Sequence, residues 1–163
     1  MLQSDTKPIF FVDAMLGNIA KKLRLLGYDS EYSSDSKDDE LILKVKNENR
    51  ILLTKDEPLV KKAEKQKISV IHIKDNNEME QLIQIFKNLK LSKVIVSGKT
   101  ARCTECNGEL ETIEKDSVMN KIPEGVLEKI NDFWICTNCN KIYWEGTHIE
   151  RLQKFVNELN EKL

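Results

Sequence analysis

No apolar stretch of this 163-residue chain approaches the roughly 18–20 residues that a helix needs to span a bilayer. The longest apolar run near the start, at residues 9–12, follows a polar leader with the sequence MLQSDTKP. This leader does not have the charged and apolar regions of a signal peptide. We therefore expect a protein without a membrane anchor, located in the cytoplasm.

The chain also lacks an excess of charge of either sign. Its 26 Lys and Arg and 27 Asp and Glu residues give a formal net charge of −1, which excludes a protein that coats nucleic acid through bulk charge alone. The two ends differ, however. Residues 1–99 hold 18 basic and 15 acidic side chains, and residues 100–163 hold 8 and 12. This difference predicts two parts of different composition.

A glycine-rich phosphate-binding loop is absent as well. The segment Ser97-Gly98-Lys99-Thr100 matches the end of such a loop, but the upstream glycine is missing at the required spacing. This absence argues against a nucleotide-binding enzyme or a small-molecule phosphatase on the same kind of fold.

The four cysteines form two pairs in the second part, Cys103-x-x-Cys106 and Cys136-x-x-Cys139, and an Asn follows each pair. Pairs with this spacing suit tight turns that aim two thiolates at one metal ion. Asn tolerates such a turn, which leaves backbone N–H groups free to point at the sulfurs. The pattern predicts a structural zinc site, with iron as the softer alternative. One redox-active pair beside an accidental one is the competing interpretation.

Apolar segments lie next to the second cysteine pair. Phe133-Trp134-Ile135 leads into it and Ile142-Tyr143-Trp144 leads out of it. This is the pattern of a zinc ribbon, in which the metal closes a sheet that has too little apolar area to fold alone. We expect the ribbon at residues 99–147 and a final helix at 148–163.

The first part alternates between two hydrophobic periods. Apolar runs typical of buried strands occupy residues 9–12, 51–54 and 68–73, and residues 31–32 are the candidate for a further short strand. Helical spacing of apolar residues occurs at 15–26, 38–45, 58–65 and 79–89. Residues 94–96 are either a short strand or a connector. The alternation predicts an α/β domain at residues 8–98, with a mostly parallel sheet covered by helices.

Acidic residues occur where ligands collect in such sheets, at the carboxyl ends of strands. Asp13 follows the first strand, Asp56 follows strand 51–54, and Asp38 and Asp39 open the helix before that strand. Each of them alone is also a good helix cap. Together they would repel one another unless a cation were present, and hard oxygen ligands favour Mg²⁺ or Mn²⁺. A metal-assisted phosphoryl-transfer site is the function that this placement predicts.

Basic residues near these carboxylates are candidates for binding phosphate groups. They are Lys21, Lys22, Arg24, Arg50 and Lys55. His148, at the start of the last helix, either caps or packs against that helix or binds a substrate phosphate. His72 lies within an apolar strand and is expected to be a core residue.

Several of these segments, in the same order from residue 10 to residue 150, resemble the PIN-like ribonuclease family named after the C-terminal domain of the Mut-seven protein. The segments are FVDAMLG at 11–17, LRLLGYD at 23–29, DDEL at 38–41, RILLTKD at 50–56, RC at 102–103, CNG at 106–108, FWIC at 133–136, Cys139 and YWEGTH at 143–148.

The resemblance implies a PIN-like domain fused to a zinc ribbon, and a metal-dependent ribonuclease activity on RNA. Asp13, Asp56 and either Asp38 or Asp39 match the acidic positions of the family, with Asp38 favoured. Glu57 and Asp75 are the candidates for the fourth carboxylate that many PIN domains carry.

The chain departs from the family pattern at two positions. The family commonly has an aromatic residue in place of Lys22 and a basic residue in place of Glu145. Lys22 adds positive charge near the predicted site, and Glu145 removes it from the edge of the ribbon. The alternative function is an RNA- or ribosome-associated module without catalysis, which would bind through the ribbon and the basic first helix.

Overall fold

The structure, a computed structural model, describes residues 6–91 and 93–163. The predicted leader lies mostly outside these ranges. The first part contains strands β1 (Phe10–Val12), β2 (Ser30–Tyr32), β3 (Ile51–Thr54) and β4 (Val70–His72). Its helices are α1 (Gly17–Leu25), α2 (Asp38–Glu48), α3 (Glu57–Lys65) and α4 (Glu78–Asn88), and a short 3₁₀ turn (Ala14–Leu16) precedes α1. Together these elements are called the α/β unit.

The four strands form a parallel sheet in the order β2-β1-β3-β4. The central strands β1 and β3 are buried because helices cover both faces, which is why they consist of continuous apolar residues. Helices α1 and α4 pack on one face and α2 and α3 on the other. All four strands end at the same side, which is called the carboxyl edge, and the opposite side is the amino edge. The predicted α/β fold is confirmed.

The second part contains an antiparallel sheet in the order β5-β6-β7. Its elements are β5 (Leu110–Ile113), α5 (Lys115–Val118), α6 (Glu124–Lys129), β6 (Phe133–Cys136) and β7 (Ile142–Trp144). Val118, Ile122 and Phe133 form its small buried core. So few buried apolar residues indicate that this sheet needs further stabilisation, as a metal site would provide.

The last helix, α7 (Thr147–Lys162), returns to the α/β unit. Its buried residues Val156 and Leu159 belong to the same core as α1 and α4. The Asn160 side chain bonds both backbone groups of Val94, at 3.0 Å to its N–H and 2.8 Å to its carbonyl. Residues 94–96 are therefore a connector and not a strand. In the part of the chain that the structure describes, no helix has the length and apolar character to cross a membrane.

Candidate active site

Asp13 and Asp56 lie at the ends of neighbouring strands. Strands β1 and β3 pair in register, with Val12 opposite Leu53, so that each strand reaches the carboxyl edge at the same level. The Asp13 N–H donates to the Leu53 carbonyl at 3.0 Å, which extends the pairing by one step. The structure thus brings these two predicted residues to the same edge of the sheet, with Asp13 level with Thr54 and Asp56 two residues beyond it.

Thr54 connects the two aspartates. Its Oγ1 donates a 2.7 Å hydrogen bond to Asp13 Oδ2 and accepts one of 3.0 Å from the Asp56 N–H. The Thr54 side chain is fully buried, which shields its hydroxyl from water, while the bonds to the two aspartates are partly buried. Sequence reasoning did not assign Thr54 a role, although a polar residue that closes an apolar strand was the available signal.

Asp56 also begins α3. Its Oδ1 accepts from the Leu59 N–H at 3.4 Å, a long capping bond. Helix α3 starts at Glu57, with Pro58 in its first turn. The capping interpretation therefore applies to Asp56, and its exposed carboxylate retains a second oxygen for another ligand.

Asp38 and Asp39 open α2, whose N-cap residue is Lys37. Both carboxylates face Lys62 of α3, whose Nζ lies 3.8 Å from Asp38 Oδ2 and 3.9 Å from Asp39 Oδ1. Their exposure differs, because the Asp38 side chain is 42% exposed and that of Asp39 is 97% exposed. Of the two side chains, that of Asp38 is the more shielded from solvent.

The spacing of the carboxylates limits how a cation is held. Within residues 6–91 and 93–163, the four cysteines are the one group of three or more Cys, His, Asp or Glu residues whose ligand atoms lie within 4.8 Å of one another. The aspartates therefore do not converge on one point. Since Mg²⁺ keeps much of its water shell and takes only one or two carboxylates directly, a cation at this edge would contact at most two of the aspartates and not all of them.

The predicted phosphate-binding lysines have different surroundings. Lys55 lies between Thr54 and Asp56 at the carboxyl edge, and its amine bonds the side chain of Asn76. Lys22 pairs with Glu78 at 2.7 Å, and its amine lies 5.0 Å from the centre of the Phe155 ring. Lys21 is exposed on α1.

Arg50 lies at the amino edge, away from the predicted carboxylates. Its Nη1 donates to Asp29 Oδ1 at 2.8 Å and to the Phe10 carbonyl at 3.1 Å, and the residue is 8% exposed. Burial acts to lower the pKa of Arg50, but the bond to Asp29 outweighs it and raises that pKa. A buried guanidinium with these partners holds the fold together and is not available to a phosphate.

Arg24 also departs from the prediction. It ends α1 at the amino edge, is 6% exposed, and donates to the Ser30 carbonyl at 2.8 Å and the Thr104 carbonyl at 2.7 Å. The helical periodicity of residues 15–26 predicts that Arg24 lies on or beside the solvated face of α1. In the structure this face is covered by the loop of the first cysteine pair, which contains Thr104. The loops at residues 103–107 and 136–140 are called the first and second knuckle.

The two histidines lie in different places. His148 is exposed in the first turn of α7, at an open groove of about 890 Å³ between the ribbon and α7 that Trp144 and Lys141 also line. His72 ends β4 half-buried, with its Nε2 3.3 Å from the Lys55 carbonyl. His72 is thus a hydrogen-bonded residue at the carboxyl edge.

The four cysteines form a compact cluster. The Sγ atoms of Cys103 and Cys139 lie 3.6 Å apart, and those of Cys106 and Cys136 lie 3.4 Å apart. A tetrahedral zinc ion with Zn–S bonds of about 2.3 Å places its sulfurs roughly 3.8 Å apart, so that the donor set fits zinc.

The pKa values of Cys106 and Cys139 shift in opposite directions, since thiolates crowded together repel one another. Burial acts to raise the pKa of Cys106, but hydrogen bonds with Asn138 and the Gly108 backbone lower it to about 6. The Lys141 backbone acts to lower the pKa of Cys139, but burial and the other cysteines raise it to about 12. A bound cation would allow all four to ionise.

The comparisons with known proteins agree with this architecture. A family model described as the Mut7-C RNAse domain matches residues 8–156, which span both sheets and part of α7. The comparisons found no curated protein and no solved structure that matches the chain.

Proposed function

The chain belongs to the Mut7-C RNAse domain family, and from this membership we propose that it hydrolyses RNA phosphodiester bonds with a divalent cation bound at the carboxyl edge. The family gives the ribonuclease-like function. The observation that supports a metal-dependent reaction is the hydrogen-bonded series Asp13, Thr54 and Asp56 at the ends of the two central strands.

Each residue of this series has a distinct role in the proposal. Thr54 holds one oxygen of Asp13, so that the other oxygen has a fixed direction toward a ligand. Asp56 and Asp38 add negative charge from the starts of α3 and α2. When bound, Mg²⁺ or Mn²⁺ supplies a water of lowered pKa and neutralises phosphate charge.

Three lysines complete the proposed site by binding RNA phosphates. Lys55 is the nearest in sequence to the carboxylates, while Lys21 and Lys22 contribute from α1, Lys22 by exchanging its ion pair with Glu78 for a phosphate. Arg24 and Arg50 are left out of this set because their guanidinium groups are bonded at the amino edge. His148 remains a candidate only for RNA that also reaches the groove beside α7.

Neither candidate for a fourth carboxylate joins the proposed set. Glu57 is 67% exposed and pairs with Lys61 at 3.7 Å. Asp75 is exposed in the turn before α4, where its carbonyl accepts from Gln81. The proposed site therefore contains three carboxylates, Asp13, Asp38 and Asp56. The four cysteines hold a structural zinc ion in this proposal.

The proposal is tested with labelled single-stranded and structured RNAs and Mn²⁺. We expect cleavage by the wild-type protein and none by the Asp13→Asn/Asp56→Asn variant, since both residues are proposed cation ligands. The Asp75→Asn variant is the matched control. Equal cleavage by the wild-type and double-variant preparations would show that a contaminant is responsible.

RNA binding without catalysis is the second candidate, and the spacing of the aspartates favours it. Their oxygens do not form a group of three within 4.8 Å in the described residues. This alternative predicts an affinity for RNA that falls with salt and is unchanged in the Asp13→Asn/Asp56→Asn variant, with no cleavage by either protein.

A further inference from the structure

The two cysteine knuckles contain the same residue in different surroundings. Asn107 and Asn140 each follow the second cysteine of a pair, and both have left-handed backbone angles, with φ of 66° and 64°. Asn140 is exposed, whereas Asn107 is 5% exposed because it faces the α/β unit. Only the first knuckle therefore has its Asn side chain in the interface between the two parts.

The Asn107 side chain uses both its acceptor and its donor on the α/β unit. Its Oδ1 accepts from the Ser30 N–H at 3.0 Å, and its Nδ2 donates to Asp29 Oδ1 at 2.7 Å. Arg102 holds Asn107 from the ribbon side, with a 3.0 Å bond from Nε to the Asn107 carbonyl. Asn107 thus bonds the first residue of β2 and the residue before it.

These contacts continue into the central strand. The Asp29 oxygen that accepts from Asn107 also accepts from Arg50 at 2.8 Å, and Arg50 donates to the carbonyl of Phe10, the first residue of β1. Arg24 makes a parallel connection, because it binds both Ser30 and Thr104 of the knuckle. The first knuckle is in this way bonded to the amino edge of β2 and, through Arg50, of β1.

The position of Asn107 depends on the knuckle, and the knuckle depends on its metal. A small ribbon core leaves metal coordination as the main source of order in such a loop. If the loop opens, the buried Ser30 N–H and the Asp29–Arg50 pair lose a partner, and an unsatisfied buried polar group is costly. Order in the loop and order at the amino edge are thus linked.

We propose that Asn107 couples metal binding by the four cysteines to the stability of the α/β unit, so that zinc in the ribbon tightens the amino edge of the parallel sheet. The coupling does not require the ribonuclease activity. The coupling arises from the contacts of the first knuckle. The second knuckle does not take part in it, because its Asn140 is exposed.

Amide hydrogen exchange of the full-length protein, with zinc bound and after chelation, tests the coupling. The variants are Asn107→Gly and the matched control Asn140→Gly, since glycine adopts positive φ without strain at both positions. Loading of each variant is checked by the thiolate-to-metal absorption of bound Co²⁺. We expect chelation to speed exchange at Ser30 and along β1 about tenfold in the wild type and in Asn140→Gly.

In Asn107→Gly, exchange in these strands should be faster than in the wild type and respond less to zinc, although the ribbon still binds Co²⁺ and Arg24 still binds Thr104. The proposal is overturned if chelation leaves wild-type exchange in β1 and β2 unchanged, or if both variants respond to zinc alike. If Asn107→Gly does not load Co²⁺, Asp29→Ala replaces it, because this variant leaves the knuckle intact and removes one of the two Asn107 bonds. Chelation should then change exchange in β1 less than in the wild type, and an undiminished change would overturn the proposal.

Discussion

Thr54 Oγ1 lies 2.7 Å from Asp13 Oδ2 and donates its proton to that oxygen. The bond joins the ends of the two central strands and fixes one half of the Asp13 carboxylate. Because the same hydroxyl accepts from the Asp56 N–H, the three residues form one unit. In a cation site that includes Asp13, the bond from Thr54 would therefore set the orientation of the Asp13 carboxylate.

Replacing Thr54 by Val removes the hydroxyl while keeping the shape of the side chain. We expect kcat for RNA cleavage with Mn²⁺ to fall about 10- to 100-fold, the usual cost of losing a group that orients a metal ligand. Thr54→Ser retains the hydroxyl and should recover most of the rate. A Thr54→Val enzyme with the wild-type rate would show that the bond does not position Asp13.

The two acidic residues at the start of α2 should differ in importance. Asp38→Asn is expected to lower the cleavage rate at least tenfold, as loss of a residue of the metal site does, and Asp39→Asn to leave it nearly unchanged. The reason is that the Asp39 side chain is 97% exposed and projects into solvent. Both variants lose one contact to Lys62 and so are matched. The cleavage rates of both variants are measured by steady-state kinetics. Equal losses of rate in Asp38→Asn and Asp39→Asn would contradict the predicted difference.

Replacement of Arg50 should lower the stability of the protein, whereas replacement of Lys55 should weaken its activity on RNA. Arg50→Ala leaves the partly buried Asp29 without its cation, and we expect the free energy of unfolding to drop by about 2–3 kcal/mol, discounted for the exposure of Asp29. Lys55→Ala should change it by no more than about 0.5 kcal/mol but raise KM for RNA. Urea denaturation measures the free energy of unfolding of each variant, and cleavage assays measure its KM for RNA. If Arg50→Ala instead raised KM for RNA and left the free energy of unfolding unchanged, Arg50 would be a phosphate-binding residue.

Stability should depend on acid pH through Asp29. Burial acts to raise the pKa of Asp29, but hydrogen bonds from Arg50 and Asn107 outweigh it, so that this pKa lies below its ordinary value. A lowered pKa in the folded state means that the stabilisation is complete above the unfolded pKa, about 3.9. It is then lost as the pH falls through the folded value.

The measurement is the difference in unfolding free energy between the wild type and Asp29→Asn from pH 7 to pH 2. The difference should stay constant above about pH 5 and shrink below about pH 4. Loss of metal in acid affects both proteins and largely cancels. A difference that remains constant to pH 2 would contradict the lowered pKa.

The α/β fold could be predicted from the hydrophobic period because buried parallel strands appear in the sequence as continuous apolar runs. The runs at 10–12 and 51–53 are continuous and apolar, and an acidic residue comes directly after the first run and three positions after the second. The same rule locates Asp13 and Asp56, since residues that follow parallel strands share an edge. Applied to Arg50, which precedes its strand, the rule would have placed that residue at the amino edge.

Other features depended on contacts between distant parts of the chain. Periodicity within α1 does not reveal that the ribbon covers Arg24, because Thr104 lies 80 residues away. Asn107 and Asn140 have the same local sequence context, and only tertiary packing distinguishes them. Thr54 belongs to a recognisable motif, but its bond to Asp13 spans 41 residues.

The central claim, a divalent cation held by Asp13 at the carboxyl edge, is tested most directly by Mn²⁺ binding. Titration of the zinc-loaded protein is followed by the electron paramagnetic resonance signal of free Mn²⁺. The account predicts a bound Mn²⁺ whose affinity falls about tenfold or more in Asp13→Asn and is unchanged in Asp75→Asn. Equal Mn²⁺ affinity in the wild type and Asp13→Asn would contradict it.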